Sequence, residues 1–281
     1  VDSGAGTGAD AGAQTGPGTT RARLREHLVR TLIAGEVATP RQNNLLHYRR
    51  MSRRDSYYLF GLELERPWSF DDVLAMMARK CGVDPDPAHF YGDDTIDPDL
   101  TIDALDAMAD RLRLAAERRE KVILATGHPT GVLPFYLAVG RALRARGCQV
   151  LTPAAGWSYE LETADGPQVR HIRYVEDVAM LSSGASLHHT HDPHPMRAML
   201  AELATESNDW PDLVMADHGW AGAAGQAGID TVGFADCNDP ALFAGEAEGK
   251  ITVTVPLDDN VLPHHYTEPI AYLLARSELI A

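Results

Sequence analysis

The stretch VILATGHPTGVLPFYLAVGRALRARG, residues 122–147, carries the fold in miniature. Residues 122–126 are an apolar run of strand length. Gly127 and Gly131 bound a short loop, and residues 134–146 repeat apolar side chains at helical spacing. Pro134 falls in the first helical turn, where its missing N–H costs little. A strand handing over through a glycine loop to a helix is one half of a βαβ unit. The same texture extends downstream, with strands expected at residues 149–152, 178–181, 213–216, 231–235 and 251–256. Helices are expected near 195–205, 221–227 and 268–279, and the Asp-Gly turn in YELETADGPQVRHIRYV marks a hairpin. The fold class is therefore α/β: a Rossmann-like, mostly parallel sheet over residues 119–281, whose ligands belong at the carboxyl ends of the strands.

Upstream the pattern is helical. RARLREHLVRTLIAG places Leu24, Leu28 and Leu32 at helical spacing, with Gly35 as a stop. SFDDVLAMMARKCG opens on a Ser69 cap, and DPDLTIDALDAMADRLRLAAERR puts Ile102, Leu105, Met108 and Leu112 on one face. TPRQNNLLHYRRMSRRD and HFYGDDTIDPD read as polar connections. Residues 21–118 thus form an N-terminal helical subdomain. Residues 1–20, nearly devoid of large apolar side chains, are expected to be disordered.

The chain of 281 residues carries a formal charge of −15, which argues against a nucleic-acid surface. No apolar run approaches the roughly 20 residues of a membrane span. Cys81, Cys148 and Cys237 lie far apart without a CxxC pair, as in a reduced cytoplasmic protein. The opening stretch also lacks the basic start and apolar core of an export signal. Self-association into a homo-oligomer stays open.

Polar chemistry gathers at the strand ends. The loop Gly127–Gly131, with Thr130, opens a helix N-terminus that favours an anion, and His128 sits within it. It is not a Walker A loop, because no Gly-Lys-Ser/Thr follows. Its G-x-x-x-G spacing and the absent acid after the next strand argue against a dinucleotide. LHHTHDPHP places His189 and His191 on one side of an extended segment, able to reach one ion. Asp217 and His218 end the next strand, Asp236, Asn238 and Asp239 the one after, and Asp258 and Asp259 the last. Asp239, ahead of Pro240, also reads as a helix cap. Arg41 is a candidate phosphate ligand in a chain with few lysines. No Gly-x-Ser-x-Gly or cysteine–histidine pair suggests a serine or thiol nucleophile.

In order, TGHPTGVLPFY, GCQVLTPA, HTHDP, ADHGWAGAAGQ, DCNDPALFAGEAEG and VPLDDNV resemble the blocks of an actinobacterial family catalogued simply as phosphatases. The likeness extends more weakly to GEVATPRQNN and KCGVDPDP…YGDD. It implies hydrolysis of a small phosphorylated metabolite, a phosphomonoester. A looser likeness is to metal-dependent phosphatases of the domain-of-unknown-function-89 type. Those pair a helical N-terminal part with a Rossmann-like part whose Asp-Asn motif and later Asp hold a metal. Asp217, His218 and Asp236 stand at the matching places, with His218 a departure from Asn.

Together these readings lead to the following expectations. A divalent cation (Mg, Mn, Co or Ni) sits near Asp217 and Asp236 with His189 and His191. Gly127, Thr130, Gly131 and Arg41 hold phosphate, and Asp217, His128 and His218 take part in catalysis. Two other classes remain: a non-catalytic binder of a phosphorylated metabolite, and another Rossmann-type enzyme such as a methyl or acyl transferase.

Overall fold

The computed structural model describes residues 19–163, 166–205 and 209–280. The expected disordered tail falls on residues 1–18, outside the described residues, and on Thr19 and Thr20, which are anchored. Thr20 caps the first helix by accepting from the Arg23 amide, and the Thr19 hydroxyl donates to Glu268 at 2.7 Å.

In chain order the N-terminal part contains α1 (Arg21–Arg30), β1 (Gly35–Pro40), α2 (Arg41–Ser52), α3 (Phe70–Lys80), β2 (Asp93–Ile96) and α4 (Pro98–Arg118). Ser69 and Asp72 form a reciprocal capping box on α3, and the Asp97 side chain caps α4 ahead of Pro98. Two readings of this part are corrected. Gly35, with φ +87°, opens a strand after α1 has already ended at Arg30. The two polar connections contain β1, α2 and β2, with β1 and β2 pairing as a small antiparallel sheet. Helix α2 escapes an apolar-periodicity test because much of its buried face is polar: Arg41, Asn44 and Tyr48 lie beside Leu45 and Met51.

The chain continues with β3 (Lys121–Ala125), α5 (Leu133–Ala145), β4 (Gln149–Val150), β5 (Ser158–Thr163), β6 (Gly166–Val175), β7 (Val178–Ser183) and β8 (Ser186–His188). It closes with α6 (His194–Thr205), β9 (Leu213–Met215), α7 (His218–Gln226), β10 (Asp230–Ala235), α8 (Pro240–Ala247), β11 (Val253–Pro256) and α9 (Thr267–Arg276). The large sheet runs β11-β10-β9-β3-β7-β6-β5, with β4 beside the start of β3 and β8 on β7. Strands β11, β10, β9, β3, β4 and β7 pair in parallel, and the β5–β6 hairpin and β8 pair antiparallel.

Strand β3 is the topological switch. The next parallel strands, β4 and β7, lie on one side of it, and β9, β10 and β11 build outward on the other. A crevice opens at the carboxyl ends of strands at such a reversal. The N-terminal helices are not a separate layer: α4 packs on β11 and α9, α1 on α4 and α9, and α2 and α3 on α8. Leu24, Tyr48 and Leu105 share one buried cluster with Val122 and Phe234, so the core is continuous across residue 118. Among the described residues, no helix is long and apolar enough to cross a membrane.

Candidate functional site

At the switch point the β9 end touches the β3 end through Asp217, which is fully buried. Its carboxylate accepts four hydrogen bonds. Oδ2 takes the hydroxyls of Thr126 and Tyr136, both at 2.7 Å. Oδ1 takes the Gly127 amide at 2.6 Å and His218 Nδ1 at 2.8 Å. Burial disfavours this carboxylate's charge, yet the His218 bond and charge, with the two hydroxyls, hold its pKa below the usual range. Asp217 therefore does not fit the expected direct metal ligand. It orients His218, whose other nitrogen is turned toward the cleft. His218 is held at a left-handed φ of +47° at the first position of α7, a strained backbone for a residue with a Cβ.

His218 Nε2 lies 3.3 Å from Asp239 Oδ2, 3.7 Å from Asp259 Oδ2 and 3.3 Å from His189 Nε2. Three groups of three potential ligand atoms, each within 4.8 Å of one another, occur here: His189–His191–His218, His218–Asp239–Asp259 and Asp236–Asp258–Asp259. Asp239 occupies the N-cap position of α8 but makes no capping bond, because its carboxylate faces His218 instead. Aromatic neighbours fix the imidazoles: Tyr57 stacks on His191 at 4.5 Å, and Phe60 packs against His191 and His218.

The electrostatics follow from burial and crowding. Burial pushes His189 down to about 4 and His191 to about 3, with His218 adding to the effect, so both rings are neutral near pH 7. Burial, then Asp258 and Asp239, push Asp236 up to about 7. Burial pushes Asp259 well above the carboxylate range; His218 opposes this, and the neighbouring carboxylates reinforce it. Burial also opposes a charge on His218, but Asp217 and Asp239 outweigh it and raise its pKa well above the ordinary value. Asp239 is correspondingly held at about 2, its burial overcome by His218.

A polar site this deep needs partners, and some atoms lack them. Asp259 Oδ2, His191 Nδ1 and His128 Nδ1 are buried without a hydrogen-bond partner. Carboxylate oxygens and neutral imidazole nitrogens in such a cluster suit a divalent cation, so the donor set fits one.

The glycine loop behaves differently from the expected phosphate cradle. The Gly127 amide is spent on Asp217, the His128 amide on Thr126 Oγ1 at 2.9 Å and the Gly131 amide on the His128 carbonyl. The glycines make room for protein rather than ligand. A Cβ on Gly131 would lie 1.8 Å from the Asp259 carbonyl oxygen, and one on Gly127 would lie 2.4 Å from that of Thr190. Thr130 is exposed and does not line the cleft. Arg41 is also elsewhere: it is fully buried, paired with Asp94 at 2.8 Å, and donates to the carbonyls of His89, Asp84 and Asp86. His128 does reach the cleft, with Nε2 3.8 Å from Asp259 Oδ1. Burial and then His218 lower its pKa, which favours the neutral ring.

The N-terminal wall of the cleft comes from stretches that read in sequence as polar connections. The Thr39 hydroxyl donates to Asp236 at 2.9 Å, His47 Nδ1 lies 2.9 Å from the Asn238 carbonyl, and the Tyr48 hydroxyl donates to that of Cys237 at 2.5 Å. The available signal was the block GEVATPRQNN, which ends at the start of α2. The cleft encloses about 730 Å³. A second cavity of about 780 Å³ adjoins it through Tyr57, His189 and His191, with Tyr159, Arg170 and Arg197 on its far side.

Two comparisons bear on this arrangement. A family model described as Phosphatase matches residues 19–281. A phosphatase of Streptomyces coelicolor is 53% identical over 266 residues, which cover 94% of this chain and 98% of its own length. Both matches run through the N-terminal wall and every strand end that builds the cleft, and on that extent the chain belongs to the Phosphatase family.

Proposed function

We propose that this protein hydrolyses a small phosphomonoester with the help of a divalent cation. The observation that carries the reading is the convergence of Asp236, Asp239, Asp258 and Asp259 with the imidazoles of His189, His191 and His218 in one cleft. A phosphate dianion is repelled by four carboxylates unless positive charge lies between them. His218 Nε2, Asp239 and Asp259 would hold the cation, with Asp217 fixing the tautomer and direction of His218 as a carboxylate behind a ligating histidine does. Bound there, a divalent cation supplies the charge that offsets the phosphoryl oxygens in the transition state.

The protein's own groups do the rest. His128, neutral and buried beside Asp259, positions a substrate oxygen or water by hydrogen bonding and is not the proton donor. Tyr57 and Tyr58 line the cleft, and the adjoining cavity offers room for the organic part of the ester. The test is a screen of phosphomonoester metabolites for phosphate release, with chelator and then with Mg²⁺, Mn²⁺, Co²⁺ or Ni²⁺ restored. Cation-dependent release that disappears in His218→Ala is expected. Release unaffected by chelator, or none on any phosphomonoester, would refute the proposal.

A further inference from the structure

The three overlapping ligand groups do not describe three sites. His218 has already committed Nδ1 to Asp217, so only Nε2 remains, and one imidazole nitrogen ligates one ion. The groups His189–His191–His218 and His218–Asp239–Asp259 therefore merge into a single nitrogen-and-oxygen site. Asp259 differs, because a carboxylate has two oxygens and can bridge. It belongs both to that site and to the all-carboxylate group Asp236–Asp258–Asp259.

We infer that the cleft binds two divalent cations of different character, bridged by Asp259: one on His218, Asp239 and the His189–His191 pair, the other on Asp236 and Asp258. This rests on the cation-dependent reading above and adds the number and kind of ions to it. The second observation concerns the bridging residue itself: Asp259 is 4% exposed, its Oδ2, 3.7 Å from His218 Nε2, is buried without a hydrogen-bond partner, and the same carboxylate also falls in the group with Asp236 and Asp258. Charge points the same way. Once cations have displaced the protons of Asp236 and Asp259, one divalent cation leaves two of the four carboxylate charges facing an incoming phosphate, whereas two divalent cations neutralise all four.

Ligand chemistry separates the ions. Imidazoles with carboxylates favour a transition metal such as Zn²⁺, while a carboxylate-only group favours a hard cation such as Mg²⁺ or Mn²⁺. The carboxylates come from two adjacent strand ends, after β10 and β11, and Thr39 fixes Asp236 through a 2.9 Å hydrogen bond. The Gly131 contact fixes the backbone of Asp259.

The test uses the whole chain, freed of metal by chelation and titrated with Mn²⁺ alone, read by bound-metal analysis and electron paramagnetic resonance. Two Mn²⁺ per chain with an exchange-coupled signal are expected. One equivalent of Zn²⁺ should displace one Mn²⁺ and leave a single uncoupled signal. Asp258→Asn should retain one ion, and Asp236→Asn provides the same reading if the first variant does not fold. Saturation at one Mn²⁺, or two ions without coupling, would overturn the inference. One ion with phosphate release intact would leave the phosphatase reading standing, while two coupled ions without release on any phosphomonoester would refute that reading alone.

Discussion

The carboxylate of Asp217 meets two kinds of donor. On Oδ1 both partners, the Gly127 amide and His218 Nδ1, can only donate while the ring carries its proton there. On Oδ2 both partners, Thr126 and Tyr136, are hydroxyls able to accept as well. Asp217→Asn can therefore place its carbonyl toward the obligate donors and its NH₂ toward the hydroxyl oxygens, removing charge at the cost of the acceptor for the two hydroxyl protons. We expect that variant to fold with a loss of about 1–2 kcal/mol and to lose roughly 10–100-fold in cation affinity, because His218 becomes a weaker ligand. Asp217→Ala leaves the Gly127 amide and the His218 ring unpaired and should cost about 3–5 kcal/mol. Calorimetric cation titration and denaturant unfolding separate the two effects, and Mn²⁺ affinity unchanged in Asp217→Asn would remove Asp217 from the site's support.

At the scale of elements, α2 shows how polar residues build a buried helix. Its first residue, Arg41, pairs with Asp94 on β2, and Asn44 donates to the same carboxylate at 2.9 Å. Tyr48 then ties the helix to Cys237, one residue beyond Asp236. Helix α2 thereby sets the N-terminal wall of the cleft, and Arg41 serves it as a buried structural cation. Arg41→Met strands Asp94 without its charge partner and should destabilise the fold by about 3–5 kcal/mol. Folded protein should keep its Mn²⁺ affinity and its KM for the phosphomonoester. A raised KM at unchanged stability would restore Arg41 as a phosphate ligand.

For the whole molecule, the cleft makes stability depend on pH and cations. Asp236 and Asp259 bind their protons more tightly when folded, as does His218. The stability they confer is lost as pH rises through their folded pKa values. His189 and His191, held at about 4 and about 3, act oppositely and add stability as pH climbs toward the unfolded histidine value near 6.5. The two trends compete below that value, and only the loss remains above it. Metal-free protein should therefore melt several degrees lower at pH 8 than at pH 6.5. Saturating Mn²⁺ should cancel or reverse the drop, because a cation takes the place of the proton. A flat metal-free profile between those values in differential scanning calorimetry would contradict the arrangement of buried acids.

The α/β class, the order of the parallel strands' apolar runs and the strand ends that carry His189, His191, Asp217, Asp236 and Asp259 are legible in the chain before it folds. Those features are local: apolar runs, capping residues and turns act within a few positions of the chain. The sequence alone did not disclose α2, whose burial depends on Asp94 about 50 residues away. Nor did it disclose that the amides of Gly127, His128 and Gly131 are consumed inside the protein, or that Asp217 serves His218 while Asp239 and Asp259 face the cleft. Each of these depends on which groups meet across β3, β9, β10 and β11. A carboxylate beside a glycine loop reads alike in sequence whether it faces a ligand or a neighbour. Only the packed structure decides which lone pairs are already taken.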